Sequence, residues 1–524
     1  MNKKMNKKII LLFVSLIVFF TISCLCTYNV VYKFNYETNA VYAPDFFQTN
    51  LFSKQLLNNE TLKINEPFNN NYFPMFGARS MRISPEGELV PGIMVGQIII
   101  FTIFEAIYEN ITFLINPLFA VLSLILIFVI TKKIFNNEIT ALIATYLTMI
   151  FPPFLNYSII PYNNIISVFF TLIIFNSMLN LKKLKNNNHL IIAFFLIACL
   201  LFIRYPDAAI IFFSVVVYLI FLIYTKKLFI SMKTIFFATI SFLIPTITFM
   251  FVNLILYGKL FIFGNLNSIS LIFSDSTRTK ILGLIFFDGL KTLNHNIIYS
   301  FILPLIPFIF LILLSIKDNF NKYKHFLLLI SSSFFVCNIL YFGSSWTGSS
   351  DLIVNLAPLS RYLLILYLPI LIISSIGFKY IKQILSIILI FILVSSSIIF
   401  TVNSSYGLID HYNSMNEYYD KQQKFTSEIP LNSIVFTSYN DKYIYPYRKT
   451  AIYSYLPKNN SVSITTNVMI KLINDGLNVY FINEDWHINK FYNKKNYELE
   501  LNKYNYSMIK TKNEIIYKII KNET

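Results

Sequence analysis

An aspartate closely follows the first apolar segment of this 524-residue chain, in the run Pro44-Asp45-Phe46-Phe47. If that segment crosses a membrane, the Asp45 carboxylate lies near the lipid headgroups on the far side. There it could act as a general base on a substrate hydroxyl or amine, or bind a divalent cation. The structural alternative is a helix N-cap, because an amphipathic stretch runs from Phe46 to Leu57. The residues alone leave these roles open.

Four arginines are candidates for binding phosphate. Arg79 and Arg82 lie three residues apart and could share one helical face, from which both guanidinium groups would reach a phosphate. Arg204 shares a short run with Asp207, and Arg361 begins a late apolar block. Headgroup anchoring is the alternative for the first two arginines. A self-contained ion pair is the alternative for Arg204, and snorkelling for Arg361.

The composition is that of an integral membrane protein. The chain is 56% hydrophobic and only 13% charged, with a mean hydropathy of +0.59. A soluble protein of this length would need a more highly charged surface. The net charge of +17 comes largely from lysine clusters between apolar blocks, which fits membrane topology better than nucleic-acid binding. We therefore expect a lipid bilayer, and no nucleic acid, as partner.

Apolar blocks of membrane-spanning length divide the first 401 residues. They are 9–31, 91–108, 111–131, 138–156, 165–181, 189–203, 207–225, 233–257, 296–316, 325–342, 362–378 and 383–401. The lysine clusters fall in the cytoplasm only if one early block does not cross, and 91–108 is the best candidate for an interfacial helix. The sequence thus predicts about eleven transmembrane helices in a multi-pass cell-membrane protein. Its N-terminus is cytoplasmic, and a first external loop covers about 32–110.

The chain turns polar from about residue 402, and this tail should be extracytoplasmic. Segments 433–438 and 478–482 are predicted as strands and 467–475 as a helix. We predict a transmembrane domain over 1–401 and a small soluble α/β domain over 402–524. The four cysteines lie in apolar blocks and the five histidines do not cluster, so no metal site is predicted.

Four short motifs have the order of those in a known group of membrane enzymes. Pro44-Asp45 follows the first span, and Pro91-Gly92 opens an amphipathic helix later in the same loop. In the third motif, a basic connector runs from Thr131 to Phe135, and the next helix ends at Phe151-Pro152-Pro153. In the fourth, Arg361-Tyr362 is followed by Leu366-Tyr367-Leu368-Pro369 at the start of a late helix. Together they resemble the GT-C superfamily of glycosyltransferases, over about residues 9–400. The similar branch holds the protein O-mannosyltransferases, the aminoarabinose transferases and the dolichyl-phosphate-mannose mannosyltransferase-like proteins.

The resemblance implies an all-α polytopic membrane enzyme that moves a sugar from a polyprenyl-phosphate donor to an extracytoplasmic lipid, glycan or protein acceptor, with inversion. Asp45 would be the general base. The donor phosphate would meet Arg79, Arg82, Arg204 and Arg361. Two other readings stay open: a flippase or transporter of lipid-linked glycans, and a polymerase or ligase. The lack of an internal repeat argues against a transporter.

Two departures from the family pattern bear on metal binding. Asp45-Phe46 stands where Asp-Glu is common in the family. Tyr162, Asn163 and Asn164 occupy the second external turn, a site for the acceptor, where many members carry an acidic residue. Both losses argue against a two-carboxylate metal site. No cofactor is certain, and a divalent cation stays an open alternative.

Overall fold

A computed structural model describes residues 7–32, 44–78, 81–109, 111–181, 188–225, 230–260, 364–403, 408–438, 440–445, 447–453, 461–483, 494–512 and 515–522. This part of the chain is mainly helical, with a small sheet near the C-terminus. The helices of eight or more residues are Lys7–Thr27, Pro44–Leu57, Val95–Ile107, Ile115–Phe135, Glu138–Met149, Pro152–Ile159, Asn164–Asn180, Asn188–Tyr224, Met232–Tyr257, Leu364–Gly377, Gln383–Asn403, Leu408–Glu428, Ser461–Asn474 and Lys494–Asn502. Arg79, Arg361 and the predicted blocks 296–316 and 325–342 lie outside the described residues.

Within these residues, four helical segments are long and apolar enough to cross a membrane. They are Lys7–Val30, Ile111–Phe135, Asn188–Tyr224 and Met232–Tyr257. Glu138–Met149 and Pro152–Ile159 form a fifth candidate, bent by 62°. Large apolar side chains cover the outer faces of these helices, for example Phe13 at 60% exposed and Ile244 at 61%. Such extended apolar surfaces fit a lipid environment. The number of about eleven spans stays a prediction.

The helix Asn188–Tyr224, here called the kinked helix, doubles back on itself. Arg204 has non-helical φ and ψ of −156° and 98°. Pro206 has no amide hydrogen for the carbonyl of Phe202, so the helical hydrogen bonding is interrupted there. The rings of Phe194 and Phe212 lie 6.3 Å apart, whereas a straight helix would separate them by about 27 Å. The two halves therefore run side by side, as expected for blocks 189–203 and 207–225.

The helix Val95–Ile107, here called the Val95 helix, has 13 residues and is about 20 Å long. It is too short to cross a hydrocarbon core of about 30 Å alone. Its polar residues Gln97 and Glu105 are buried, and Ile99 and Ile103 are exposed. This inverted pattern suits a helix whose outer face meets lipid and whose polar face meets protein.

Two short strands of the first loop, β1 (Met81–Ile83) and β2 (Leu89–Pro91), form a hairpin. The tail carries a five-stranded sheet of β3 (Ser433–Thr437), β4 (Lys449–Ile452), β5 (Asn478–Ile482), β6 (Tyr506–Lys510) and β7 (Ile516–Lys521). The strand order is β4-β3-β5-β7-β6. Strand β3 is parallel to β4 and β5, and β7 is antiparallel to β5 and β6. The predicted strand–helix–strand unit is present, as β3, Ser461–Asn474 and β5.

Arg448 joins this sheet to the end of the preceding helix. Its guanidinium group is buried and donates to the carbonyls of Thr426 (2.9 Å), Ile429 (2.8 Å) and Tyr447 (2.8 Å). The helix Leu408–Glu428 ends there, so these bonds satisfy carbonyls that the helix leaves without a donor. Burial lowers the pKa of Arg448 from its usual value.

Replacing Arg448 by Met should destabilise the tail by about 2–3 kcal/mol, because buried carbonyls would lose their donors. Hydrogen exchange of strand β3 in the full-length protein measures this free energy of opening. Lys503→Met is the control. It breaks a surface ion pair with Glu500, in which the lysine side chain is 64% exposed, and should leave the free energy of opening nearly unchanged. Equal exchange in both variants would contradict the assignment.

Candidate functional site

Asp45 lies in the first turn of the helix Pro44–Leu57, here called the loop helix. Proline suits the first position of a helix, because its fixed φ is helical and the amide it lacks would have no intrahelical partner. The helix thus begins one residue before Asp45, whereas an N-cap at Asp45 would make Phe46 the first helical residue. A carboxylate in the first turn interacts favourably with the helix dipole.

One apolar cluster brings the start of the loop helix to two other candidate regions. Phe46, Phe101, Ile115, Ile166 and Ile203 are buried together. The rings of Phe46 and Phe101 pack edge to face at 6.1 Å. Because the cluster holds the chain neighbours of Asp45, Ser167 and Arg204, it gathers these three positions in one part of the fold.

Arg204 and Asp207 form a buried ion pair. Arg204 Nη1 lies 3.2 Å from Asp207 Oδ2, and the two side chains are only 8% and 0% exposed. Ser167 donates its hydroxyl to the same carboxylate oxygen at 2.6 Å. Asp207 Oδ1 is buried and has no hydrogen-bond partner among the described residues. The pair thus supplies a fixed guanidinium and a carboxylate oxygen with unused acceptor capacity.

Side-chain amides hold the second turn against the kink. Asn163 donates to the carbonyl of Ile203 at 2.8 Å, directly before Arg204. Asn164 is buried, 3% exposed, at the start of its helix. Tyr162 is half-buried and its ring lies 6.2 Å from that of Tyr157. Tyr162, Asn163 and Asn164 therefore border the same region as Arg204.

Asn116 is a residue that the sequence reading missed. Its amide nitrogen lies 3.1, 2.6 and 2.9 Å from the carbonyl oxygens of Tyr157, Ile160 and Tyr162. Gln97 of the Val95 helix adds a bond to the carbonyl of Pro161, at 3.1 Å. A lone asparagine inside an apolar block was the available signal, because a buried amide in a membrane needs polar partners.

Arg82 does not lie on a helix, so the prediction that it shares one helical face with Arg79 is wrong. Arg82 lies on β1 (Met81–Ile83), which pairs antiparallel with β2 (Leu89–Pro91). The reason is the turn between them, where Gly87 has a φ of +83° that favours glycine. The guanidinium carbon lies 5.7 Å from the ring centroid of Tyr257, at the end of the helix Met232–Tyr257.

Among the described residues, no group of three or more histidine, cysteine, aspartate or glutamate side chains could hold a metal ion. In comparison with known proteins, the chain matches no family model and no curated protein sequence.

The Arg204–Asp207 pair yields a stability prediction. Asp207→Asn leaves the buried guanidinium without its counter-charge, which should cost about 3–5 kcal/mol. Arg204→Met combined with Asp207→Leu removes both charges and should recover most of the stability. Thermal unfolding midpoints of the purified protein in detergent measure both effects. If Asp207→Asn melts like the wild type, the two side chains do not form a buried pair.

Proposed function

We propose that this chain is an inverting membrane glycosyltransferase that moves a sugar from a polyprenyl-phosphate donor to an extracytoplasmic acceptor. The observation that carries the proposal is the cluster of Phe46, Ile166 and Ile203. It packs the start of the loop helix, whose second residue is Asp45, against the segments that carry Ser167 and Arg204. A base and a phosphate-binding cation are the two groups that this reaction needs.

Asp45 is the general base in this proposal. Among the described residues, the other carboxylates between the first span and the Val95 helix have partners. Glu60 accepts a bond from Gln55, Glu66 pairs with Lys449, and Glu86 and Glu88 pair with Lys63. The assignment of the base to Asp45 rests on the resemblance.

In the proposed reaction one bond to the anomeric carbon forms as another breaks. Asp45 takes the proton from the acceptor hydroxyl or amine as that atom attacks the anomeric carbon. The bond between this carbon and the donor phosphate oxygen breaks, and polyprenyl phosphate leaves with the electron pair. Phosphate needs no protonation to leave, so one carboxylate suffices, unlike in glycosidases. Arg204 would stabilise the phosphate charge, with Arg82, Arg79 and Arg361 as further candidates.

The contacts between the first loop and the tail support the proposed topology. Phe76 forms a β-bridge with Ala451, so both segments lie on one side of the membrane. Ten predicted blocks lie between them if 91–108 does not cross, and an even number returns the chain to the same side. Eleven crossings would separate the two segments. The lysine-rich connectors make that common side extracytoplasmic.

Cysteine labelling tests this topology in a background with the four native cysteines replaced. Glu60→Cys and Leu431→Cys should react with an impermeant thiol reagent added outside, and Lys132→Cys only after the membrane is opened. Leu431 is 76% exposed, and Glu60 and Lys132 are exposed as well, so all three sites are accessible. Labelling of Lys132→Cys from outside would mean that block 91–108 crosses.

Transfer itself is tested with purified protein, polyprenyl-phosphate sugars and candidate acceptors, with products followed by mass spectrometry. Asp45→Asn should lower kcat by about 10²–10⁴-fold, because the amide cannot take a proton. Glu60→Gln, a carboxylate of the same loop, is the matched control and should transfer normally. A folded Asp45→Asn protein with wild-type kcat would exclude Asp45 as the base. A wild-type protein that transfers no sugar from any donor would exclude the function.

A further inference from the structure

We propose that the C-terminal tail is a positioning module: it holds the first external loop as an added strand and thereby fixes the loop helix with Asp45 and the hairpin with Arg82. The catalytic meaning of this inference rests on the proposed function. The mechanical part of the inference, namely that the tail holds the loop in place, can be measured without any transfer assay.

The added strand is formed by residues 75–77, which run antiparallel to the edge strand β4. The backbone amide of Gly77 donates to the carbonyl of Thr450 at 2.9 Å. In the other direction the amide of Ile452 donates to the carbonyl of Met75 at 2.8 Å. The loop thus covers a sheet edge that would otherwise leave its backbone groups unpaired.

Side chains of the loop complete the core of the tail. Met75 and Phe76 are each 1% exposed and belong to the hydrophobic cluster under the sheet. The Phe76 ring lies 6.5 Å from that of Phe436 on β3. The Thr450 hydroxyl donates to the carbonyl of Gly77 at 2.6 Å. Apolar burial makes this attachment stronger than backbone pairing alone would be.

Charged and polar side chains around the added strand also help to attach the loop to the tail. Lys449 Nζ lies 2.8 Å from Glu66 Oε1 and 4.4 Å from the centroid of the Phe68 ring. Farther along, the Tyr72 hydroxyl donates to Asp475 at 2.7 Å, and this bond raises the pKa of Tyr72. Because each contact joins one loop residue to one tail residue, each can be tested by paired substitution.

The docked loop is tied in turn to the hairpin β1–β2. Asn69 is 4% exposed and donates its amide to the carbonyls of Phe76 (3.0 Å) and Gly87 (3.1 Å). Asn70 donates to the carbonyl of Glu86 at 2.8 Å. A Cβ at Gly87 would lie 2.1 Å from Asn70 Oδ1, so the two segments are in close contact. The position of the Arg82 strand therefore depends on the docked strand.

The tail also reaches the loop helix directly. The Tyr445 ring packs edge to face on Phe47 at 5.8 Å, two residues after Asp45. Burial, and then the charge of Glu66, raises the pKa of Tyr445 to about 12, so the phenol stays neutral at physiological pH. A second tie comes through the hairpin, because Gln48 Oε1 accepts from the amide of Gly92 at 2.7 Å.

A charge-swap cycle at Glu66 and Lys449 tests the mechanical part in the full-length protein in lipid nanodiscs. Lys449→Glu places two like charges together and should speed amide exchange in 66–78 by about tenfold. Exchange in 44–57 and 81–91 should rise with it. Glu66→Lys combined with Lys449→Glu should restore slow exchange. Lys503→Glu, in the tail but away from the loop, is the control and should change none of these segments.

Phe76→Ser tests the catalytic part, since it removes the buried ring and releases the loop. We expect kcat to fall by about 10²-fold with an unchanged donor KM, because a small misplacement of a reacting group has effects of this size. Fast exchange in 66–78 with wild-type kcat would overturn the positioning role. Exchange that rises in 66–78 but not in 44–57 and 81–91 overturns it as well.

The outcomes separate this inference from the proposed function. A wild-type protein without transferase activity would refute the function, and the charge-swap cycle would still decide whether the tail holds the loop. If Phe76→Ser does not fold, the charge-swap cycle decides the inference by exchange alone. If exchange does not respond to Lys449→Glu at all, the tail does not hold the loop, whatever the activity.

Discussion

The candidate site depends on one constraint. Backbone carbonyls that lose their helical hydrogen bonds where helices break need other donors. Such groups have no water to bond when they are buried, so protein donors must satisfy them. Here side-chain amides do so: Gln97, Asn116 and Asn163 donate to carbonyls of the second turn and of the kink before Arg204. These bonds tie three separate segments into one polar region. The same region contains the buried Arg204–Asp207 pair, so its charge and its backbone geometry are fixed together.

The buried ion pair explains how the guanidinium of Arg204 is held in position within this polar region. An isolated guanidinium would be costly in a poorly hydrated site, and Asp207 with its Ser167 bond offsets that cost. The two readings of Arg204, ion pair and phosphate ligand, are therefore compatible. A guanidinium held by one carboxylate oxygen is already oriented when an anionic ligand arrives, which lowers the entropy lost on binding.

The tail supports a second part of the candidate site, the first external loop. Within its described residues, the first external loop consists of one short hairpin and three helices joined by irregular segments. Its attachment to the edge of β4 and to the core under the sheet supplies the rigidity that a long loop lacks. A site built on a loop needs such support, because its residues must be held within a fraction of an ångström.

The sequence by itself determined the membrane character, the strands 433–438 and 478–482, and the tight turn at Arg204, because hydropathy, alternation and Pro206 are local signals. It also singled out Asp45 and Asp207. It predicted a helical face for Arg79 and Arg82, yet Arg82 lies on a strand, because pairing with 89–91 is a contact that local spacing does not record. Only the tertiary structure decided that Asn116 gathers three carbonyls, that Phe46 meets Ile203, and that the loop completes the core of the tail. These depend on residues far apart in the chain, which only three-dimensional packing brings together.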